Sequence, residues 1–452
     1  MSTVYVGNGS IIIEFPDEGL ERELSVFRHT KKGDGYYDHL YTRSPTHNAI
    51  VTMPGFRQRV LDFSSDAYVK DRRIPLPRPD IADALKSLHP VWHSGVENAI
   101  KSEGGVLSIP SILGSARVIA AILKAYPKDQ LVERGTPISI VATKNVRAKL
   151  IGKELKRLLP DREIGIGKTD SDDIIVAPYS ILDETPRRLA GIFIGDDVTG
   201  GDLVARAEKI SAIHSAARWG IQTTPFGGDV KLDLAVEGLF GKVVASLSYL
   251  DAVKAGVGVP ITVCWMKAPR PNVSLGSASI DMLEALAMQE NPPFVKFVAE
   301  ILQKTPSKIG CLLHTGPIAM SKRVSKYLPD VAEAHAHKTK SEQKAVLTGI
   351  SEGTIRKAIL SNEFVPQKQN HGVVIVATCR GCDFVETLFP WRALSHVGEK
   401  AYIVDFYHDW DVHNGRRGCL ALNDEARKKR YEEFGFNQFV VSSIAQLPFI
   451  GS

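Results

Sequence analysis

The sequence predicts an α/β protein with two doubly wound parallel-sheet domains in tandem, preceded by a small N-terminal α+β module. Three observations carry that prediction. Short, continuously apolar runs recur along the chain: GGVLSIP, PISIVAT, DDIIVAP and LAGIFIGDD, then KIGCLLH, KAILSN, GVVIVAT and KAYIVDF. Amphipathic stretches such as VRAKLIGKELKRLL separate them, and strands apolar on both faces belong to parallel sheets covered by helices. With 452 residues, 44% of them hydrophobic, the chain has material for two or three separate cores.

The elements follow in order. Residues 1–80 read as a small separate module: VYVGNGSIIIEF has strand character, ELSVFRH is helix-like, and NAIVTM is another strand. Three prolines in RRIPLPRPD (72–80) stop regular structure and extend the chain as a linker. The first α/β domain spans 84–268. Its last pieces are GKVVASLSYLDAVKAG and the strand within PITVCWMKA. APRPNVSLGSAS (268–279) is a polar, proline-containing linker, and the second α/β domain occupies 280–452. In doubly wound sheets, ligands sit at the carboxyl ends of the strands.

Composition narrows the function classes. No run approaches eighteen apolar residues, so no membrane span is expected. MSTVYVGNGSIII lacks a basic n-region and a small-residue cleavage site, so no signal peptide is expected either. Five cysteines do not make a disulfide framework, and a cytoplasmic setting fits them. Cys379 and Cys382 form one CxxC without a second pair at matching spacing, so no structural zinc is expected. His314, His335 and His337 lack a supporting carboxylate pattern and read as solvated. A net charge of +5 is compatible with a nucleic-acid partner and equally with an ordinary soluble enzyme.

SIPSILGSARVIAA (108–121) has the setting of a phosphate-binding loop, a strand before it and a helix after it, but only one glycine, Gly114, and no lysine. Taken with the stretches around it, it resembles the superfamily 2 helicases, in particular the phage UvsW-type recombination helicases, from Leu88 to about Phe436. LHPVWHSGVENAI resembles the segment ahead of the loop, with Trp92 in place of the usual glutamine. GVLSIPSILGSARVIAAIL resembles the loop itself, often P-T-G-x-G-K-T, with Gly114 retained, Ser115 at the lysine and Ala116 at the threonine. ISIVATKNVRAKLIGKELKRLLP and DDIIVAPYSIL are similar to motifs Ia and Ib. LAGIFIGDDVTGG resembles the D-E-x-H strand, placing Asp196 and Asp197 on the acidic pair and Thr199 on the histidine. RWGIQTTPFGGD, with Thr223, Thr224, Pro225 and Phe226, is similar to the S/T-A-T-P-F motif. In the second domain KIGCLLHTGPIAMSKRVSKYLP is similar to motif IV and AILSNEF lies where motif V belongs. FPWRALSHVGEKAYIVDF falls on motif VI, where Arg392 remains of three arginines.

The resemblance implies RecA-like domains and names the residues of both expected activities. For ATP hydrolysis these are Asp196, Asp197 and Arg392, with Gly114, Ser115 and Ala116 as a degenerate phosphate loop. Phosphoryl transfer needs a lysine on the phosphates, a hydroxyl and an acid for Mg²⁺, and arginines for the transition state. The lysine, the hydroxyl at the expected position and two arginines are missing. Asp197 is one methylene shorter than the usual glutamate. Arg117 lies two residues past the lysine position, about 200° round a helix, and is expected to point elsewhere. For nucleic acid, the resemblance implies Thr143, Lys144, Arg147, Tyr179 and Ser180 in the first domain, and His314, Thr315, Ser361 and Asn362 in the second.

Three functions stay open on the sequence. The first is a helicase-like DNA-binding protein of phage replication or recombination, acting in an infected cell's cytoplasm on forked, branched or single-stranded DNA. It would have phage protein partners, lost or much weakened ATP hydrolysis, and no cofactor or metal. The second is an active ATP-dependent helicase with an atypical loop, in which Asp196 holds Mg²⁺ with ATP. The third is a structural or interaction protein that reuses the fold.

Overall fold

The structure, a computed structural model, describes residues 2–29, 35–109, 115–143, 145–167, 171, 173–183, 189–198, 206–222, 230–272, 279–361, 372–378, 400–413 and 416–450. It divides into two compact units, Met1–Leu247 and Ser248–Ser452. No helix among the described residues is long and apolar enough to cross a membrane.

The first unit begins with strands β1 (Thr3–Val6), β2 (Ile11–Glu14), β3 (Ser25–His29), β4 (Gly35–His39), β5 (Tyr41–Arg43), β6 (Ala49–Thr52) and β7 (Tyr68–Asp71). Five of them form a sheet in the order β5-β6-β2-β1-β7, and β3 pairs with β4 alone. ELSVFRH is therefore not a helix. The helix is Glu18–Glu23, started by the Asp17 side chain accepting from the Leu20 amide. Its chain then turns into β3, which pairs antiparallel with β4 from Ser25 opposite His39 to His29 opposite Gly35. The module is not separate either. Arg59 grips Glu237 through Nε and Nη2 at 2.9 and 2.7 Å, and Phe56 packs so close to Gly238 that a Cβ there would lie 2.8 Å from the ring.

The rest of this unit is a parallel sheet of β8 (Gly104–Ser108), β9 (Ile138–Ala142), β10 (Ile164–Ile166), β11 (Ile174–Pro178), β12 (Leu189–Asp196), β13 (His214–Gln222) and β14 (Val243–Ser246). The order is β10-β11-β9-β12-β13-β8-β14. Helix Asn145–Leu158 covers one face, burying Ala148, Ile151 and Leu155 at the three-to-four-residue spacing of one helical stripe. Glycines at paired positions 195 and 220 let the Phe240 ring lie on the sheet, since a Cβ on Gly195 would meet it at 2.7 Å.

The second unit repeats the plan with β15 (Ile261–Lys267), β16 (Cys311–His314), β17 (Ala332–Ala334), β18 (Lys357–Leu360), β19 (Val373–Val376) and β20 (Ala401–Tyr407), then the hairpin β21 (Val412–His413) and β22 (Arg416–Arg417), and finally β23 (Asn437–Val441). The parallel sheet runs β17-β18-β16-β19-β20-β15-β23. Here one expectation is corrected. PITVCWMKA does not close the first domain. Its strand β15 pairs with β20 and β23, so residues 248–268 belong to the second unit. A strand buried on both faces suits either sheet, and its composition does not say which.

Candidate functional site

The carboxyl edge of the first sheet brings three chain segments together. Asp196 ends β12 and stands level with Ala142 of β9 and Ile221 of β13. The chain leaving β9 enters helix Asn145–Leu158, and the chain after β8 enters helix Ser115–Lys124. Arg147, in the first turn of its helix, reaches across to both neighbours. Its Nε donates to Asp196 Oδ2 at 2.7 Å and its Nη2 to Oδ1 at 3.2 Å. The same Nη2 donates to Ser115 Oγ at 2.9 Å. Two-pronged bonds between guanidinium and carboxylate are among the stronger polar contacts in proteins.

Burial sharpens the picture. The Asp196 side chain is 1% exposed and that of Arg147 33%. Asp196's charge, helped by that of Asp197, holds the Arg147 guanidinium above its ordinary basicity. Asp197 sits half-buried with φ at +60°, a left-handed conformation that costs a residue with a Cβ about 1–2 kcal/mol. Beneath the acidic pair lies Tyr179, 1% exposed, its phenol pushed well above the usual range by burial and then by the two aspartates.

ATP with Mg²⁺ asks three things of such an edge: a free carboxylate, a free hydroxyl and a mobile ammonium. Asp196 and Ser115 are both held by one guanidinium, which has no acceptor and does not release its proton. Among the described residues, the acid and the hydroxyl at this edge are thus already engaged. The protein's own cation neutralises the acid that a metal would otherwise meet. Arg117 is exposed to solvent, as the helical period requires.

Other expected site residues are placed as follows. Ser115 and Ala116 open their helix and are buried at 3% and 7% exposure. Thr143 is half-buried and Ser180 exposed, so both remain accessible. Arg147, expected toward nucleic acid, turns instead to Asp196, because a buried carboxylate within reach outweighs a solvated phosphate contact. Tyr179 is a core residue. In the second unit, burial also overturns the expectation. His314 and Thr315 are 0% exposed and Ser361 4%. The Thr315 amide donates to Leu360, its hydroxyl meets Ser321 Oγ at 2.5 Å, and the Ser361 amide donates to Ala334. His314 is held neutral by burial, with its pKa pulled down to about 3. It is therefore not solvated, and neither is His335 at 3% exposure. Gly114, Lys144, Asn362 and Arg392 lie outside the described residues, as do Thr199, the TTPF motif and the Cys379–Cys382 pair.

The missed feature is the role of Arg147. The signal was present. A residue opening the helix after β9 lies beside the end of β12 once those strands are neighbours, and Asp196 ends β12.

No family model and no curated protein matches this sequence. Solved structures do match. Dbp5 of S. cerevisiae, solved with Gle1 and IP6, aligns over 81% of this chain and 93% of its own at TM-score 0.53 and 10% identity. A second Dbp5 structure, bound to RNA and ADP BeF3, aligns over 78% and 94% at TM-score 0.51 and 11% identity. The chain shares with these structures a fold of two RecA-like parallel-sheet domains in tandem. T4 UvsW aligns end to end, over 98% of this chain and 99% of its own, at 13% identity and TM-score 0.39. Both parallel sheets are RecA-like, and the small N-terminal sheet precedes them.

Proposed function

We propose that this protein is a helicase-like nucleic-acid-binding protein whose phosphate-loop edge no longer turns over ATP. One observation carries the reading: Arg147 joins Asp196 to Ser115, the acid of the metal site to the residue in the lysine position. Phosphoryl transfer needs several charges placed at once, whereas gripping a phosphate backbone needs only donors and positive charge. The donors Thr143 and Ser180 are accessible. Lys149, Lys153, Lys156 and Arg157 stay exposed along helix Asn145–Leu158, a basic face beside the same strand ends. The motif resemblance to phage recombination helicases extends the reading to forked, branched or single-stranded DNA in phage replication or recombination, with phage protein partners.

The test is phosphate release and DNA affinity measured on the same preparation. The expected result is no ATP hydrolysis above background with or without a DNA fork. Fork affinity is expected to fall steeply as salt rises, because contacts with phosphates release counterions. Fork-stimulated hydrolysis that Asp196→Ala abolishes would overturn the proposal.

A further inference from the structure

A second polar site lies at the opposite, amino edge of the first sheet, where the N-terminal module meets it. There a cavity of about 180 Å³ is bordered by Asn8, Arg57, Arg73, Ser215, Arg218 and Lys242. Four buried polar atoms on its lining residues have no hydrogen-bond partner: Asn8 Nδ2, Arg57 Nε, Ser215 Oγ and Arg218 Nε. All four can donate. Leaving a buried donor unmet costs about 1–3 kcal/mol. Ser215 and Arg218, three apart on β13, face opposite sides of the sheet, so the donors that can share one acceptor are those of Asn8, Arg57 and Arg218.

The charges agree. Four cations border the cavity, Arg57, Arg73, Arg218 and Lys242, against one lining carboxylate, Glu103. Arg73 already binds Asp71 and Glu103, and Lys242 binds Asp62. Arg57 has only a 3.6 Å contact with Asp71. Arg218 is 5% exposed, and among the described residues it donates to the carbonyls of Ile210, Ser211, Ile213 and Asn8. Burial pulls Arg218 down to about 9. Arg57 is lowered by burial and then by the like charge of Arg73. Both cations are strained in the absence of an anion, and an anion between them relieves both strains.

We infer that this cavity binds a phosphate-class oxyanion, with Arg57, Arg218 and Asn8 as the donors. A cavity of this size holds several waters, enough room for one phosphate group and its remaining hydration. The anion is either free inorganic phosphate or the terminal 5′-phosphate of a nucleic acid. The site stands on the edge away from Asp196 and does not depend on the reading of that residue.

The experiment is calorimetric titration of the full chain with inorganic phosphate at low salt. Wild type is expected to bind saturably. Arg57→Gln, at the more exposed side, should weaken binding about tenfold and Asn8→Ala severalfold, the range of single hydrogen bonds to a charged group. The two variants cover the case in which Arg218→Gln fails to fold. Competition then names the source. Displacement by an oligonucleotide with a 5′-phosphate but not a 5′-hydroxyl assigns the site to nucleic-acid ends, and no displacement assigns it to the free ion. Absence of saturable binding up to millimolar phosphate, or unchanged affinity in both variants, overturns the inference.

Discussion

Arg147 in the first unit and Arg427 in the second each grip a buried carboxylate, and they differ in how they are enclosed. Arg427 in the second unit is 0% exposed. It bonds Asp405 at 3.0 and 3.1 Å, Asp424 at 2.9 Å and the Phe406 carbonyl at 3.1 Å. Tyr431 donates to the same Asp405, and His408 meets Asp424. Arg147 in the first unit has a third of its side chain in solvent. It is held at a strand edge by Asp196 and Ser115. The first network is a closed piece of core. The second is a one-sided lock at the carboxyl edge of the first sheet, the edge at which doubly wound sheets hold ligands. Similar pairing chemistry thus serves stability in one unit and occupies a site in the other.

That contrast can be broken in steps. Arg427→Met would strand two buried carboxylates and should cost about 3–5 kcal/mol, read as a lowered urea midpoint. A loss below about 1 kcal/mol, the level of an exposed pair, would remove the distinction. Arg147→Ala leaves Asp196 without its cation, and its cost should be smaller, about 2 kcal/mol. The freed carboxylate then becomes reachable, so Mg²⁺ should raise the melting temperature of Arg147→Ala and not that of wild type.

The strand ends sharpen the same contrast. His314 closes β16 in the second unit, buried and neutral, with a folded pKa near 3 against 6.5 for the free side chain. Below pH 6.5 the unfolded chain takes up a proton that the folded one refuses, so stability falls as pH falls toward 3. Between pH 6.5 and 5.5 the loss from this group is about 1 kcal/mol, and His314→Leu should remove that part of the slope. An equal slope in the variant would contradict the burial argument. The smallest effect belongs to the accessible donors. Thr143→Ala should weaken fork binding about fivefold, near 1 kcal/mol, without moving the melting temperature.

Much of the architecture was legible. Apolar runs such as DDIIVAP and KAYIVDF became β11 and β20, and the glycine and acids of LAGIFIGDD fixed Asp196 at a strand end. What escaped depends on partners distant in the chain. β15 is apolar on both sides, so only pairing with β20 assigns it to a sheet. β17 and β23 are short edge strands with weak patterns. The burial of His314 and Thr315 depends on neighbouring strands β18 and β19 ending at the same level. Arg147 reads in the sequence as a nucleic-acid contact, because its partner lies 49 residues further along.

The central claim is that the protein's own guanidinium holds the acid and hydroxyl that ATP·Mg²⁺ would need. Calorimetric titration of wild type with ATP and Mg²⁺, repeated with forked DNA present, tests it most directly. The account predicts no saturable heat up to millimolar nucleotide in either case. Saturable micromolar binding that Asp196→Ala removes would contradict it.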